Sequence, residues 1–195
     1  DSLTDFAKYA FNRSHAASYA VVSYQTAWLK YHYPAEFCCA MFNNKEQKKF
    51  TPIIDDCKEF HVNILPVDIN HSWFDFSVED GAIRFGYKGI KGIGDQNLLK
   101  DSTKGYQSFK DFIFQDMIKE TDGRITQMKS SIMENLINAG AFDKLYKNRE
   151  RLLEHYAILS DMIKNAVSLS SLTCAIKNYE MPDILPADKQ YNMQE

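Results

Sequence analysis

Residues 78–94 read VEDGAIRFGYKGIKGIG, and this stretch contains the two turns on which the predicted fold depends. In the first, Asp80-Gly81 separates two runs of alternating apolar residues, 74–78 and 83–85. An Asp-Gly pair in such a position is a strong signal for a β-hairpin. In the second, Gly92-Ile93-Gly94 precedes a segment predicted to be helical from Asp95 onward. The stretch therefore predicts a hairpin followed by the turn of a helix-hairpin-helix.

The second turn suits contacts to the phosphates of a nucleic acid. Gly92 and Gly94 let the backbone approach a phosphate, and the helix that follows presents free N–H groups. Ile93 is expected to point inward and to fasten the turn. The alternative is an ordinary glycine turn, since two glycines at this spacing are a weak signal. The charges near the turn are Lys88, Lys91, Lys100 and Lys104, opposed in the sequence by Asp95 and Asp101 only.

A second, similar turn lies in the stretch LINAGAFDKL, residues 136–145. Gly140 is its permissive turn residue, and Phe142 is expected in the core. The turn lacks a glycine pair, so it is predicted to support the fold rather than to bind DNA. Helices are predicted over about 127–138 and 148–166, whereas residues 167–195 show no convincing period and are predicted to be a linker or a partly ordered tail.

Working outward towards the N-terminus, residues 11–37 read FNRSHAASYAVVSYQTAWLKYHYPAEF. This pattern predicts a long helix from about Ser14 to Tyr33, with Asn12 or Ser14 as its N-cap. Pro34 should end it and begin a second helix. A further helix is predicted over 45–60, where Pro52 marks a kink or the true start. Residues 61–70 read as an extended segment.

The long helix is predicted to have a buried face and a polar stripe. Arg13, Ser14 and His15 lie where a helix N-terminus favours an anion, and Tyr19 lies one turn further on, where it can stack on a planar ring. These four residues would suit a nucleoside triphosphate, and the alternative is a capped and solvated helix face. The stripe continues through Ser23, Thr26 and Lys30, and the face predicted to be buried contains Ala17, Val21, Tyr24 and Trp28.

Composition limits the classes of function without selecting one. The 195 residues are 45% hydrophobic and 25% charged, with a net charge of −3 and a pI of about 6.0, so nucleic-acid contacts would rest on local patches. No apolar run is long enough to cross a bilayer, and the chain is expected to be cytoplasmic. The cysteines, expected to be buried free thiols, are Cys38, Cys39, Cys57 and Cys174. Because the sequence opens at Asp1 inside a predicted helix, it is expected to be a fragment of something larger.

Several collinear motifs resemble the bacterial DNA polymerase III alpha subunits, the C-family replicative polymerases, and the form of residues 12–15 resembles their DnaE type. The motifs are the stretch 11–37, ILPVDIN, VEDGAIRFGYKGIKGIG and LINAGAFD, and the resemblance covers about residues 5–165. It implies a mainly α fold with a small β-hairpin (α+β), in which fingers helices precede a tandem helix-hairpin-helix. The implied domains are the end of the fingers over 1–70, the hairpin and helix-hairpin-helix pair over 71–166, and the tail over 167–195.

The resemblance also implies roles for individual residues. Arg13 and His15 match positions associated with the triphosphate, and Tyr19 matches an aromatic beside the nucleotide; Ser14, between the first two, is expected to join this nucleotide site. Gly92-Ile93-Gly94 matches the turn associated with duplex DNA, and the neighbouring lysines expected to add phosphate contacts are Lys88, Lys91 and Lys100. The family's catalytic carboxylates belong to a palm domain that holds Mg²⁺, and no matching cluster is found: Asp55 and Asp56 are expected to be solvated, and Asp68 and Asp75 have no suitable partner. The fragment is therefore expected to bind without polymerising, with no cofactor or metal of its own, while the parent would bind a sliding clamp and other replisome subunits.

Two other interpretations stay open at this point. One is a stand-alone helix-hairpin-helix DNA-binding module without an enzymatic role, which would have no use for the stripe led by His15 and Tyr19. The other is a cysteine-dependent enzyme that pairs Cys38 or Cys39 with His32 or His61, although thiols in the apolar stretch EFCCAMF are expected to be inert.

Overall fold

The computed structural model describes residues 13–94, 105–121 and 124–182, and these residues form two compact units. The first unit comprises the described residues up to Asn63 together with Asp80–Ala82, and the second comprises Ile64–Glu79 and the residues from Ile83 on. As the sequence analysis predicts, the protein is mainly helical with small sheets.

The described residues of the first unit contain three helices, α1 (Arg13–His32), α2 (Pro34–Asn44) and α3 (Phe50–Glu59), with a 3₁₀ turn at Gln47–Lys49. The two predicted proline boundaries are confirmed. Pro34 is the first residue of α2, where its missing N–H costs nothing. Pro52 lies in the first turn of α3, so it marks the start of that helix and not a kink within it.

The predicted buried face of α1 is wrong, because none of the 20 residues of this helix is buried. Val21, Tyr24 and Trp28 are 56%, 70% and 42% exposed, and Ala17 is exposed as well. Apolar residues are spread around this helix, since Tyr19, Val22 and Leu29 lie outside the predicted face and are exposed as well. The small core of the unit lies instead between α2 and α3, and its buried side chains are Ala35, Cys38, Cys39, Phe42, Ile53, Cys57 and Val62.

The cysteines are all free thiols, as expected, and three of the four are buried. Cys174 is the exception and is exposed on the last helix, so the expectation of burial is wrong there. Burial raises the pKa of Cys38, and it raises the pKa of Cys57 to about 12. Both thiols are therefore protonated at neutral pH and poor nucleophiles, which argues against the cysteine-enzyme interpretation where Cys38 is concerned.

After α3 the chain forms a three-stranded sheet in the order β1-β3-β2, with β1 (Ile64–Leu65), β2 (Ser77–Glu79) and β3 (Ala82–Arg84). Strands β1 and β3 run parallel, with Ile64 opposite Ile83. The predicted Asp-Gly turn joins β2 to β3, and its two residues have φ angles of +51° and +77°. Positive φ at both central residues is what a tight type I′ hairpin turn requires.

After a 3₁₀ turn at Tyr87–Gly89, the described chain continues with α4 (Phe109–Phe112), which runs into a π-helical turn at Ile113–Met117. An antiparallel hairpin of β4 (Ile118–Thr121) and β5 (Arg124–Gln127) follows, with Ile118 opposite Gln127. The sequence analysis did not predict this hairpin. The second unit ends with α5 (Ser130–Ala139), α6 (Arg149–Lys164) and α7 (Leu169–Asn178).

Helices α5 and α6 confirm the two helices predicted around the second glycine turn, whereas α7 lies where the sequence analysis predicts a tail without regular structure. Ser168 caps α7 by accepting a hydrogen bond from the Ser171 N–H, and Leu172 and Ile176 are buried against the core of the unit. The helix is stable here because these two residues, one turn apart, have an apolar surface to cover. No helix among the described residues is long and apolar enough to cross a membrane.

Candidate nucleic-acid interface

The side chain of Ile93, between the two glycines, anchors the turn at Gly92-Ile93-Gly94 in the hydrophobic core. Ile93 is 4% exposed and belongs to the main hydrophobic core, together with Ile90, Met133 and Leu136. The Ile93 N–H donates to the Ile90 carbonyl oxygen over 3.2 Å, which closes the turn. The prediction that Ile93 points inward is confirmed.

The two glycines of this turn differ in their surroundings. Gly92 has a φ angle of +86°, and a Cβ there would lie 2.8 Å from the side-chain nitrogen of Asn135. At Gly94, no atom of the described residues lies within 4 Å of the place that a Cβ would take. Gly92 is thus required by the backbone and by a neighbouring side chain, whereas no described residue crowds Gly94.

Both glycine amides are available to a ligand. Among residues 13–94, 105–121 and 124–182, neither the Gly92 nor the Gly94 N–H finds a hydrogen-bond acceptor. Both residues are exposed, so water solvates these donors in the absence of a ligand. Unpaired backbone N–H groups in a glycine turn form a site that an anion can occupy.

The lysines near the turn are less available than the sequence suggests. Lys88 Nζ lies 2.8 Å from Asp75 Oδ1, so the expectation that only Asp95 and Asp101 oppose this patch is wrong. Asp75 was missed because it is distant in sequence. Lys91 is exposed on the turn itself. Lys100, Lys104 and the helix predicted from Asp95 onward lie outside the described residues.

The second glycine turn has a structural role, as predicted. Gly140 has a φ angle of +87° and caps α5, and its N–H donates to the Ile137 carbonyl oxygen over 3.0 Å. Arg149 bridges the turn by donating to Asp143 Oδ1 over 2.8 Å and to the Asn138 carbonyl oxygen over 2.9 Å. Phe142 is 1% exposed in the core. With its amide used internally, this turn offers no anion donor at Gly140.

At the start of α1, the residues predicted to bind a nucleotide lie together on an exposed surface. Arg13, Ser14 and His15 occupy the first helical turn, so Ser14 is inside the helix and is not its N-cap, while Asn12 lies outside the described residues. The rings of His15 and Tyr19 meet edge to face, with 4.5 Å between centroids. The stripe ends at Lys30, whose ammonium lies 2.8 Å from Asp56 Oδ1.

The acidic residues do not assemble into a metal centre in the described part of the chain, where no group of three or more His, Cys, Asp or Glu side chains is placed to hold an ion. The described residues therefore do not fit the Mg²⁺ site that the resemblance assigns to a palm domain. Asp55 and Asp56 are not simply solvated, since each binds a lysine, Lys58 at 3.1 Å and Lys30 at 2.8 Å.

Asp68 is buried in the second unit and has several hydrogen-bond and ion-pair partners. Lys144 Nζ lies 2.7 Å from Oδ2, and the Asn70 N–H donates to Oδ1 over 2.8 Å. Burial alone would raise the pKa of Asp68, but these hydrogen bonds and one from His71 lower it below its ordinary value. Asp68 is thus a structural anion. The ion pair with Lys144 could not be predicted from local sequence, because Lys144 lies 76 positions from Asp68 in the chain.

The comparison with known families first identifies the class of fold. The family described as "Helix-hairpin-helix motif" matches residues 61–152, which span both glycine turns. Residues 61–152 are therefore similar to the helix-hairpin-helix family.

Individual relatives then identify the particular protein to which the chain is related. It is 39% identical over 161 residues to the DNA polymerase III subunit alpha of Aquifex aeolicus, covering 80% of this chain and 14% of the relative. The corresponding subunit of Escherichia coli strain K12 is 38% identical over 172 residues (85% of this chain, 14% of the relative), and that of Borreliella burgdorferi is 34% identical over 204 residues (98% and 17%). The chain is homologous to a segment of the DNA polymerase III alpha subunits and spans about one seventh of their length.

Proposed function

We propose that this chain contributes two sets of contacts to a bacterial replicative DNA polymerase: contacts to the phosphates of primer–template duplex and contacts to the incoming deoxynucleoside triphosphate. The observation that supports the first most directly is the glycine turn, in which two exposed backbone amides have no acceptor among the described residues while Ile93 holds the turn to the core. The homology to alpha subunits supports the setting in which both contacts would operate.

The duplex contact is independent of base sequence. Backbone N–H groups at Gly92 and Gly94 bind phosphate oxygens, which are the same for every base pair. Lys91, exposed on the turn, adds a charge that attracts the backbone, and Lys100 adds another. Lys88 contributes less than its position suggests, because Asp75 already neutralises it.

The nucleotide contact is made at the start of α1. Arg13 and His15 bind the triphosphate at the positive end of the helix dipole, and Ser14 adds a hydroxyl. Tyr19, in contact with His15, lies one turn further on and stacks on the base. In this role α1 is part of the fingers.

Catalysis is assigned to another part of the polymerase. The chain alone binds without polymerising, and Mg²⁺, the sliding clamp and other replisome subunits are partners of the whole cytoplasmic enzyme. The alternative function is duplex binding by a stand-alone helix-hairpin-helix module, in which Arg13, His15 and Tyr19 would have no binding role.

Duplex binding is tested by fluorescence anisotropy of a labelled primer–template titrated with this chain over a series of salt concentrations. Gly94→Ala is the informative variant, because no atom in the described part of the chain lies within 4 Å of the added methyl, and we expect the fold to be unaffected. We expect it to weaken binding by blocking the approach of a phosphate. Lys91→Ala should also weaken binding and should reduce the salt slope by about 1, as for the loss of one phosphate contact.

Lys45→Ala is the matched control for Lys91→Ala, since Lys45 is also an exposed lysine and lies just after α2 in the first unit. It should leave affinity and salt slope unchanged. Failure of the unaltered chain to bind at low salt, or equal effects of Lys91→Ala and Lys45→Ala, would contradict the duplex contact.

Nucleotide binding is tested by placing Arg13→Ala and His15→Ala in a full-length relative and measuring primer extension against nucleotide concentration. We expect a higher KM for the nucleotide and an unchanged affinity for primer–template. If both variants extend primers normally at low nucleotide concentration, the assignment of α1 is wrong and the stand-alone module is favoured.

A further inference from the structure

A side chain of α5 forms a hydrogen bond with the backbone of the first glycine turn. Asn135 Nδ2 donates to the Lys91 carbonyl oxygen over 2.9 Å, across 44 positions of the sequence. Asn135 lies on the helix that ends at Gly140, so its side chain connects the first turn to the helix of the second. The Nδ2 atom of Asn135 is also the atom that a Cβ at Gly92 would meet, at 2.8 Å.

This hydrogen bond determines where an amide of the turn points. The peptide bond between Lys91 and Gly92 is trans, so its C=O and its N–H point in opposite directions. Because the Lys91 carbonyl points at Asn135, the Gly92 N–H points away from α5. That N–H has no acceptor among the described residues, and Gly92 is exposed.

We propose that Asn135 is a positioning residue for phosphate binding: it orients the Lys91–Gly92 peptide so that the Gly92 N–H faces the phosphate. The inference rests on the proposed duplex contact and adds a residue that would not touch the DNA. It also separates the roles of the glycines. Gly92 lacks a side chain in order to admit Asn135, and Gly94 lacks one in order to admit the ligand.

Asn135→Ala removes the donor without adding charge, and Asn138→Ala is its matched control, because Asn138 is an exposed asparagine of the same helix. We expect Asn135→Ala to weaken binding of a labelled primer–template duplex about tenfold, as for the loss of one hydrogen bond to a charged group. Asn138→Ala should bind as the unaltered chain does. The melting temperature of each variant shows whether the fold is retained.

The amide of Gly92 supplies a readout that a merely structural role would not change. In ¹H–¹⁵N spectra of the whole chain, duplex should move the Gly92 amide proton downfield as it bonds a phosphate oxygen, and Asn135→Ala should abolish this shift. If Asn135→Ala fails to fold, Asn135→Asp keeps the shape but replaces the donor by an acceptor, with Asn138→Asp as the control for the added charge. It should show the same loss.

The outcomes separate this inference from the proposed function. The positioning role would be overturned if Asn135→Ala bound duplex as tightly as the unaltered chain and showed the same duplex-induced shift of the Gly92 amide proton. The proposed duplex contact would then still hold. Equal losses in the Asn135 and Asn138 variants would also overturn it. No binding by the unaltered chain at low salt would overturn both.

Discussion

Removing the carboxylate of Glu79 should destabilise the second unit more than removing the guanidinium that it binds. Arg84 is only 5% exposed, and its Nε and Nη2 donate to Glu79 Oε2 and Oε1 over 2.8 and 2.9 Å. Its Nη1 donates to the Pro66 carbonyl oxygen over 2.9 Å, so the pair fastens the hairpin to the segment after β1. The hydrogen bond from Arg84 lowers the pKa of Glu79.

The two single variants differ because the two partners differ in exposure. In Glu79→Ala a buried cation is left with one acceptor, and breaking a fully buried pair in this way costs about 3–5 kcal/mol. The Glu79 side chain is 37% exposed, so water reaches the vacated space, and we expect a loss of about 2 kcal/mol. Arg84→Met keeps an apolar stem and leaves a carboxylate that water can solvate, so its expected loss is about 1 kcal/mol.

The measurement is urea unfolding followed by the fluorescence of Trp73, which lies in the second unit, in a Trp28→Phe background that removes the other tryptophan. The double variant should lose less than the sum of the two single variants, because the second change removes a charge that the first left unpaired. A loss in Glu79→Ala no greater than that in Arg84→Met, or strict additivity, would refute this reasoning.

Three further predictions concern other parts of the chain. Ser168→Ala removes the cap of α7 and should destabilise that helix by about 1 kcal/mol, seen as faster hydrogen exchange of its amides but not of those of α5. Iodoacetamide at neutral pH should modify exposed Cys174 first and Cys57 last, because burial raises the pKa of Cys57 to about 12; mass spectrometry of the digested protein reports the order, and rapid labelling of Cys57 would contradict it. Asp68 has a lowered pKa when folded, so its contribution to stability is present above its unfolded pKa and is lost as the pH falls through the folded value. Lys144→Ala should therefore move acid unfolding to higher pH, whereas Lys147→Ala, an exposed lysine three residues further on, should not.

Turns could be predicted from the sequence because their cause is local. Asp80-Gly81 and Gly140 adopt positive φ angles that few other residues tolerate, so the residue types alone indicate the conformation. The position of Pro34 also has a local cause, because a proline cannot continue the preceding helix but is well suited to the first position of the next one. The burial of Ile93 also followed from its place between two glycines.

Features that depend on distant residues could not be predicted in this way. The spacing of apolar residues in α1 carries no information on whether anything covers them, and they are exposed. Lys88 is neutralised by Asp75 and the turn is held by Asn135, and neither contact leaves a trace in local sequence. Helix α7 is different, since Ser168 followed by Leu172 and Ile176 is a capped helical pattern that the neighbouring serines obscured.

The break between α1 and α2 has a mechanical consequence. Tyr33 is the only residue between them, with φ −135° and ψ 60°, so two dihedral angles set the direction of a rod of 20 residues. At 1.5 Å per residue the rod is about 30 Å long, and a rotation of about 10° at Tyr33 displaces its far end by about 5 Å. Arg13 and His15 stand at that end. A small torsional change at Tyr33 would therefore move Arg13 and His15 by more than the length of a hydrogen bond.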